Sequence, residues 1–187
     1  MSTLVIVLRM VSLLAFPGLM LLVVSGRHGQ PKTRAREGGS DRAPLVANLA
    51  AFGLFFPSLV IFSGSSEASM ALSGCLLALA GAALVLRSRA ELGPAWSFVP
   101  KADQGTGLVT TGPYRLVRHP IYLGLALLAM GEALAFGSWP ALMIVLSGVV
   151  PTFAWRARAE EKLLSRRFGE GYAVYRQRTN MIIPHLL

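Results

Sequence analysis

The sequence predicts an all-α, polytopic integral membrane protein with five transmembrane helices. Three observations carry that reading. Of 187 residues, 53% are hydrophobic and only 14% charged, and the mean hydropathy is +0.56, which is too apolar for a soluble domain. The apolar residues gather into five runs, separated by stretches rich in Gly, Pro and charge. Finally, the basic residues alternate. Five Lys/Arg follow the first run, none the second, five the third, none the fourth, and seven lie in the tail from Arg156. That bias sets the N-terminus outside and the tail in the cytoplasm. The net charge of +9 therefore marks inner loops, not a nucleic-acid partner.

Span one runs roughly from Thr3 to Ser25, long enough to cross a bilayer. It is too long, and lacks the basic start and cleavage site, for a removable signal. Pro17-Gly18 is expected to kink it; Arg9 could snorkel towards an interface or face a partner helix, and snorkelling is the expectation. The Gly-, Pro- and Arg-rich segment from Arg27 to Pro44 reads as a loop. Span two is about Leu45 to Phe62. Span three is about Ser69 to Leu86, where Gly74, Ala78, Gly81 and Ala82 are spaced to let a neighbouring helix approach closely. Cys75, alone in the chain, reads as a small buried hydrophobe. A polar segment from Arg87 to Arg118 follows, containing Trp96, Phe98 and Lys101. Its Gly-x-Gly pieces lack the strand–turn–helix setting of a dinucleotide site. Span four is about Ile121 to Phe136, Gly137-Ser138-Trp139-Pro140 is a tight hairpin, and span five is about Ala141 to Trp155. Glu132, close to the outer hairpin, is expected to snorkel. The chain reads as one domain, 1–187, with spans one to three in 1–86 and the chemistry in 87–187.

Two stretches carry that chemistry. TGPYRLVRHPIYLG, Thr111 to Gly124, is polar, basic and aromatic, and it enters span four through a turn fixed by Pro113 and Pro120. Pro120 suits a first helical position, with His119 just before it. Span five continues into a basic helix, AWRARAEEKLLSRRFGEGYAVYRQR, broken near Gly169 and Gly171. Arg156 and Glu160 are four apart and share a face, whereas Arg158 and Glu161 point elsewhere. Either Arg156 and Glu160 form an intrahelical pair, or Glu160 meets a cation and Arg156 an anion, for which a guanidinium fork is suited. A small transporter would need ionisable residues across the middle of the spans, but only Arg9 and Glu132 qualify and both lie towards an edge. A lipid-binding scaffold would use the basic loops but leaves the punctuated, aromatic inner loop without a purpose. His28, His119 and His185 show no metal-ligand spacing, so no metal is expected.

Together, LVTTGPYRLVRHPIYLG, two spans, and R-x-R-x-EE-x-x-L-x-x-x-FG-x-x-Y-x-x-Y resemble the isoprenylcysteine carboxyl methyltransferase family, which is related to the phospholipid methyltransferases. The resemblance covers roughly Trp96 to Pro184. It implies a membrane-embedded enzyme that uses S-adenosylmethionine in a pocket at the cytosolic face, without a soluble cofactor domain. By matching motif it implies cofactor contacts at Thr106, Gly107, Leu108, Val109, Tyr114, His119, Pro120, Ile121, Tyr122 and Glu160, and a substrate contact at Arg156. His119 and Arg156 are the residues it puts nearest the chemistry. The methyl acceptor is expected to be a lipophilic small molecule or a lipidated substrate, reached through the membrane lipids. A carboxylate acceptor would need no general base. A thiol or amine would, and His119 is the nearest candidate. The Ala-, Gly- and Arg-rich composition points to a bacterial inner membrane.

Overall fold

The computed structural model describes residues 2–25, 43–93 and 107–183, with backbone only for 17–25. The loop 27–42, the Trp96–Phe98–Lys101 region, Thr106, His28 and His185 lie outside the described residues. The kink expected at Pro17-Gly18 falls where only helical backbone is described.

Every described element is helical: α1 (Thr3–Ser25), α2 (Ala43–Ile61), α3 (Ala68–Leu92), a short 3₁₀ turn (Gly112–Arg115), α4 (Pro120–Phe136), α5 (Trp139–Ile144), one π turn (Val145–Val149) and α6 (Val150–Arg178). Three helical stretches have the length and hydropathy to cross a membrane: α2, α3 and the run Trp139–Arg178. Thr3–Phe16 and Pro120–Phe136 are shorter apolar helices. Leu49, Leu54, Val60, Leu72, Leu76 and Leu146 are exposed on these helices. Such surface is untenable in water and normal against lipid. α3 runs to Leu92, so Arg87 and Arg89 belong to its last turns and not to the polar loop expected there.

The bundle is built on the α3–α4 pair, the most extensive helix contact. A Cβ added at Gly74 would sit 2.4 Å from the Ala135 nitrogen, and one at Gly81 2.5 Å from the Gly124 carbonyl oxygen. From the other side, a Cβ at Gly131 would sit 2.4 Å from the Ala78 nitrogen. The backbones therefore touch, and only glycine permits it. Phe52, Phe55, Phe56 and Phe153 form an aromatic layer between α2 and α6, joined by Phe16 of α1. Asn48 adds an interhelical hydrogen bond, its Nδ2 donating to Thr152 Oγ1 at 3.0 Å.

Two charged residues depart from expectation. Arg9 does not snorkel. It is buried, and its guanidinium donates to the carbonyls of Ala135 (3.0 Å), Phe136 (3.1 Å) and Gly64 (2.6 Å), and to Ser66 Oγ (3.1 Å). The last carbonyls of a helix have no partner within it, so Arg9 caps α4 from a neighbouring helix and joins α1 to both adjacent turns. Glu132 does not snorkel either: it is 0% exposed, and neither carboxyl oxygen has a hydrogen-bond partner among the described residues. Its position on α4 turns it into the bundle instead.

α5 and α6 form one helical run interrupted by the π turn. Pro151 has no N–H to return to residue 147, and the widened turn just before it accommodates the ring. Gly137, in left-handed conformation (φ +61°), ends α4, and Ser138 caps α5, its Oγ accepting from Ala141 N. At the far end, Gly169 (φ +51°) bends α6 so that the chain turns back upon itself. The sequence places the break near Gly169 and Gly171; the bend is at Gly169 alone.

Candidate functional site

The site forms where the start of α4 meets the continuation of α6. Gly112 adopts φ +56°, a left-handed conformation that glycine favours. It opens the 3₁₀ turn, with Pro113 next, and the turn buries Tyr114. Tyr114's carbonyl accepts from the Tyr175 hydroxyl at 2.7 Å. Val117 then pairs with Asn180 in a parallel bridge. Arg118 N donates to the Asn180 carbonyl at 2.8 Å and His119 N to that of Met181 at 2.9 Å. The segment after α6 thus holds the Arg118–His119 backbone in place. Pro120 begins α4, and His119 precedes it without a side-chain cap bond. The imidazole is free to face α6 instead.

There it lies between two carboxylates. His119 Nδ1 is 3.5 Å from Glu160 Oε2, and Nε2 is 3.7 Å from Glu161 Oε1. Arg118 Nε donates to Glu161 Oε1 at 2.6 Å, and its Nη1 donates to the Thr179 carbonyl. The Tyr122 hydroxyl donates to Glu160 Oε1. The Tyr122 ring stacks within 14° of parallel on both His119 (5.7 Å between centroids) and Phe153 (5.0 Å). Arg156 Cζ is 5.6 Å from the Tyr122 ring centre. One aromatic ring therefore carries His119, Glu160 and Arg156 around it.

The electrostatics follow from this arrangement. Burial alone disfavours a charged His119, but hydrogen bonding to Glu160 and Glu161 and their charges outweigh it and raise its pKa. Burial likewise pushes Glu161 up, yet hydrogen bonds from His119 and Arg118 and their charges bring its carboxyl down to about 2. Burial raises the Tyr114 hydroxyl, with the charges of Tyr175, Glu160 and Glu91 adding to the effect. Burial also lifts Tyr175, to about 12.

His119, Tyr122, Glu160 and Arg156 are thus in mutual reach. Pro120 and Ile121 are the first residues of α4 beside them, Pro120 buried and Ile121 half-buried. Tyr114 is buried nearby, with described hydrogen bonds to Thr111 and Tyr175 and none to Glu160. Gly107 is exposed and Leu108 and Val109 half-buried in the extended segment before the turn. Among the described residues, no hydrogen bond or ion pair joins those three to His119 or Glu160. Sequence reasoning missed Glu161, which it pointed elsewhere: residues i and i+1 diverge around a helix, but the imidazole enters the angle between them. It also missed Arg118, Tyr175 and the Thr179–Met181 segment. The Arg-His-Pro and Glu-Glu neighbours were the only signal for Arg118 and Glu161. Among the described residues, no group of three His, Cys, Asp or Glu could hold a metal ion.

A helical membrane bundle whose ionised side chains converge at one end of two helices defines the class: an integral membrane protein with a polar site built into its rim. The chain belongs to the phospholipid methyltransferase family, whose sequence model matches residues 69–171. Over 134 residues it is 32% identical to the protein-S-isoprenylcysteine O-methyltransferase of Saccharomyces cerevisiae, covering 70% of this chain and 56% of that protein. It is also 32% identical over 103 residues to the Schizosaccharomyces pombe protein of the same name, covering 53% and 44%. Over 88 residues it is 38% identical to the nickel-cobalt-cadmium resistance protein NccN of Alcaligenes xylosoxydans, covering 44% and 38%. The chain spans about half the length of the curated relatives it matches. Its fold is similar to that of the eukaryotic intramembrane Ras methyltransferase, isoprenylcysteine carboxyl methyltransferase. The TM-score is 0.61 at 18% identity, over 94% of this chain and 68% of that one.

Proposed function

We propose that the chain is an S-adenosylmethionine-dependent methyltransferase that transfers a methyl group to a lipophilic acceptor bearing a carboxylate. Family membership supports the reaction class. The observation that carries the site is the meeting of Glu160, His119 and Arg156 around the Tyr122 ring.

The donor set fits the cofactor. Glu160 keeps 24% of its side chain exposed, so its carboxylate can take the ammonium of an amino-acid group. Tyr122, stacked on His119 and Phe153 and bonded through its hydroxyl to Glu160, would hold that carboxylate in place for the ammonium. Bound S-adenosylmethionine would supply an electrophilic methyl carbon. Arg156, on the same helix face as Glu160, would hold the acceptor carboxylate beside it through two parallel hydrogen bonds. A carboxylate acceptor would need no proton removed, so positioning and exclusion of water would be the contribution of Glu160, Arg156 and their neighbours. Thr106, Gly107, Leu108, Val109, Tyr114, Pro120 and Ile121 complete the proposed cofactor wall. In this reading the chain crosses a bacterial inner membrane five times, with the pocket at the cytosolic face. For a thiol acceptor, or an amine such as a phospholipid headgroup, a proton would have to leave, and His119 could take it only in its neutral form, which Glu160 and Glu161 disfavour.

Calorimetry on the purified protein in detergent tests the assignment. Glu160→Gln should weaken cofactor binding roughly 10-fold or more, the worth of a hydrogen bond to a charged group. Arg156→Ala should leave that affinity near wild type while turnover collapses. Unchanged affinity in the first variant removes Glu160 from the site, and lost affinity in the second reverses the roles.

A further inference from the structure

The methyltransferase reading uses one face of α6. The opposite side carries a cluster that it leaves unexplained. Arg158, Lys162 and Arg166 recur every four residues, so they form a single stripe along the helix. All three are exposed, and among the described residues none is paired with a carboxylate. Like charges at this spacing repel and destabilise the helix that carries them. A fourth cation, Arg176, joins them from the other side of the Gly169 bend. In a straight helix residues 158 and 176 would lie roughly 27 Å apart; here both line one cavity of about 430 Å³, with Glu161, Lys162, Ser165 and Arg166. The single acid in that lining, Glu161, is already held by Arg118 at 2.6 Å. The cavity is therefore strongly cationic, and it adjoins a second, of about 390 Å³, through Ser165 and Arg176.

Its depth restricts what can fill it. Trp155, 44% exposed, is the kind of residue that anchors a helix at the membrane interface. Arg158 to Arg166 begin three residues beyond it and end eleven beyond it, or roughly 4–16 Å along the helix. That is the headgroup layer of a bilayer whose hydrocarbon core ends near Trp155.

We propose that the cleft between the two arms of α6 binds the phosphate of an anionic phospholipid headgroup. The three cations of the stripe and Arg176 grip the phosphate from both sides, Ser165 Oγ donates a hydrogen bond, and the acyl chains remain in the inner leaflet beside span five. The lipid relieves the repulsion along the stripe and ties the arm bearing Tyr172 and Tyr175 to the membrane surface. This inference stands independently of methyl transfer.

The test is native mass spectrometry of the full chain from micelles containing equal amounts of phosphatidylglycerol and phosphatidylcholine. The wild type should retain the anionic lipid preferentially. R158Q/K162Q/R166Q should lower that preference ~10-fold or more, and Arg176→Gln alone should lower it by a smaller factor. R87Q/R115Q, which removes two exposed cations elsewhere, should leave it intact. Excess inorganic phosphate should not displace the lipid. Cofactor calorimetry on the same variants reports their folding and the methyltransferase reading separately. No preference in the wild type, retention in the triple variant, or equal loss in the control pair would overturn the proposal. So would displacement by phosphate alone, which identifies a soluble ligand.

Discussion

Glu161 is the residue on which the site's geometry most depends. It accepts from Arg118 and faces His119, and its helix neighbour Glu160 takes the other side of the ring. Its lowered pKa makes this a stability statement. The contribution is fully present above the ordinary carboxyl value of about 4.5 and is lost as pH falls towards about 2. The thermal midpoint of the wild type should therefore drop across that window. Glu161→Gln should melt lower than wild type at neutral pH and should show a flatter acid limb, with the two curves converging near pH 2. His119 has the opposite sign. Its pKa is raised, so its contribution is complete below about 6.5 and fades as pH rises through the folded value. Removing the Glu161 charge should move that loss to lower pH, which a pH series of melts in detergent reads directly. Glu132 poses the reverse case: a buried carboxyl with neither oxygen bonded among the described residues costs stability. Glu132→Leu should raise stability by about 1–3 kcal/mol, visible as a higher melting temperature. A lower one would mean that the carboxyl has a partner worth more than its desolvation.

Among elements, the α3–α4 pair best shows how far a sequence can be read. Gly74 and Gly81 declare a close-packing face by their spacing. Their counterparts Gly124 and Gly131 do not, because α4 is rich in small apolar residues on every side and offers no contrast. Gly74→Ala would drive a Cβ into the Ala135 backbone, 2.4 Å away, and should cost about 1–3 kcal/mol. A Cβ added at Gly53, on α2, would meet nothing within 4 Å, so Gly53→Ala should be neutral or stabilising by roughly 0.5–1 kcal/mol. Comparing melts of the two variants separates helix contact from helix propensity. The starts and ends of α1, α2 and α4 were legible because apolar runs stop where polar or Pro–Gly segments begin. The end of α3 was not: Arg87, Arg89 and Glu91 are charged but good helix formers, as are Ala90 and Leu92 between and after them, so the helix outlasts its apolar run. Likewise, the Pro120 start was written in the chain, but the strand-like pairing of Val117 with Asn180 joins residues far apart in sequence and left no local pattern.

At the scale of the whole molecule, the alternation of basic and uncharged loops is the argument that places the site relative to the membrane. The start of α4 and the end of α6 share one end of the bundle, and Arg118, Glu161 and Thr179 bind them to each other. At the opposite end Arg9 joins Gly64 to Ala135 and Phe136. Turns between α2 and α3 and between α4 and α5 therefore cluster at one face, and the site lies at the other. That arrangement agrees with the charge bias, which assigns the uncharged turns to the outside and the seven basic residues of the tail to the cytoplasm. Cys75 is the only cysteine and is buried, so a Cys75→Ser background accepts reporter thiols cleanly. Ser65→Cys, in the turn before α3, should react with a membrane-impermeant maleimide in intact cells. Ser165→Cys, in the basic arm of α6, should react only after the membrane is opened. A reversed pattern would put the His119–Glu160 site on the outer face, away from a cytosolic methyl donor, and the proposed reaction could not occur there. Equal reactivity of both positions in intact cells would require an even number of crossings between them and would overturn the proposed count of three, through α3, α4 and α5–α6.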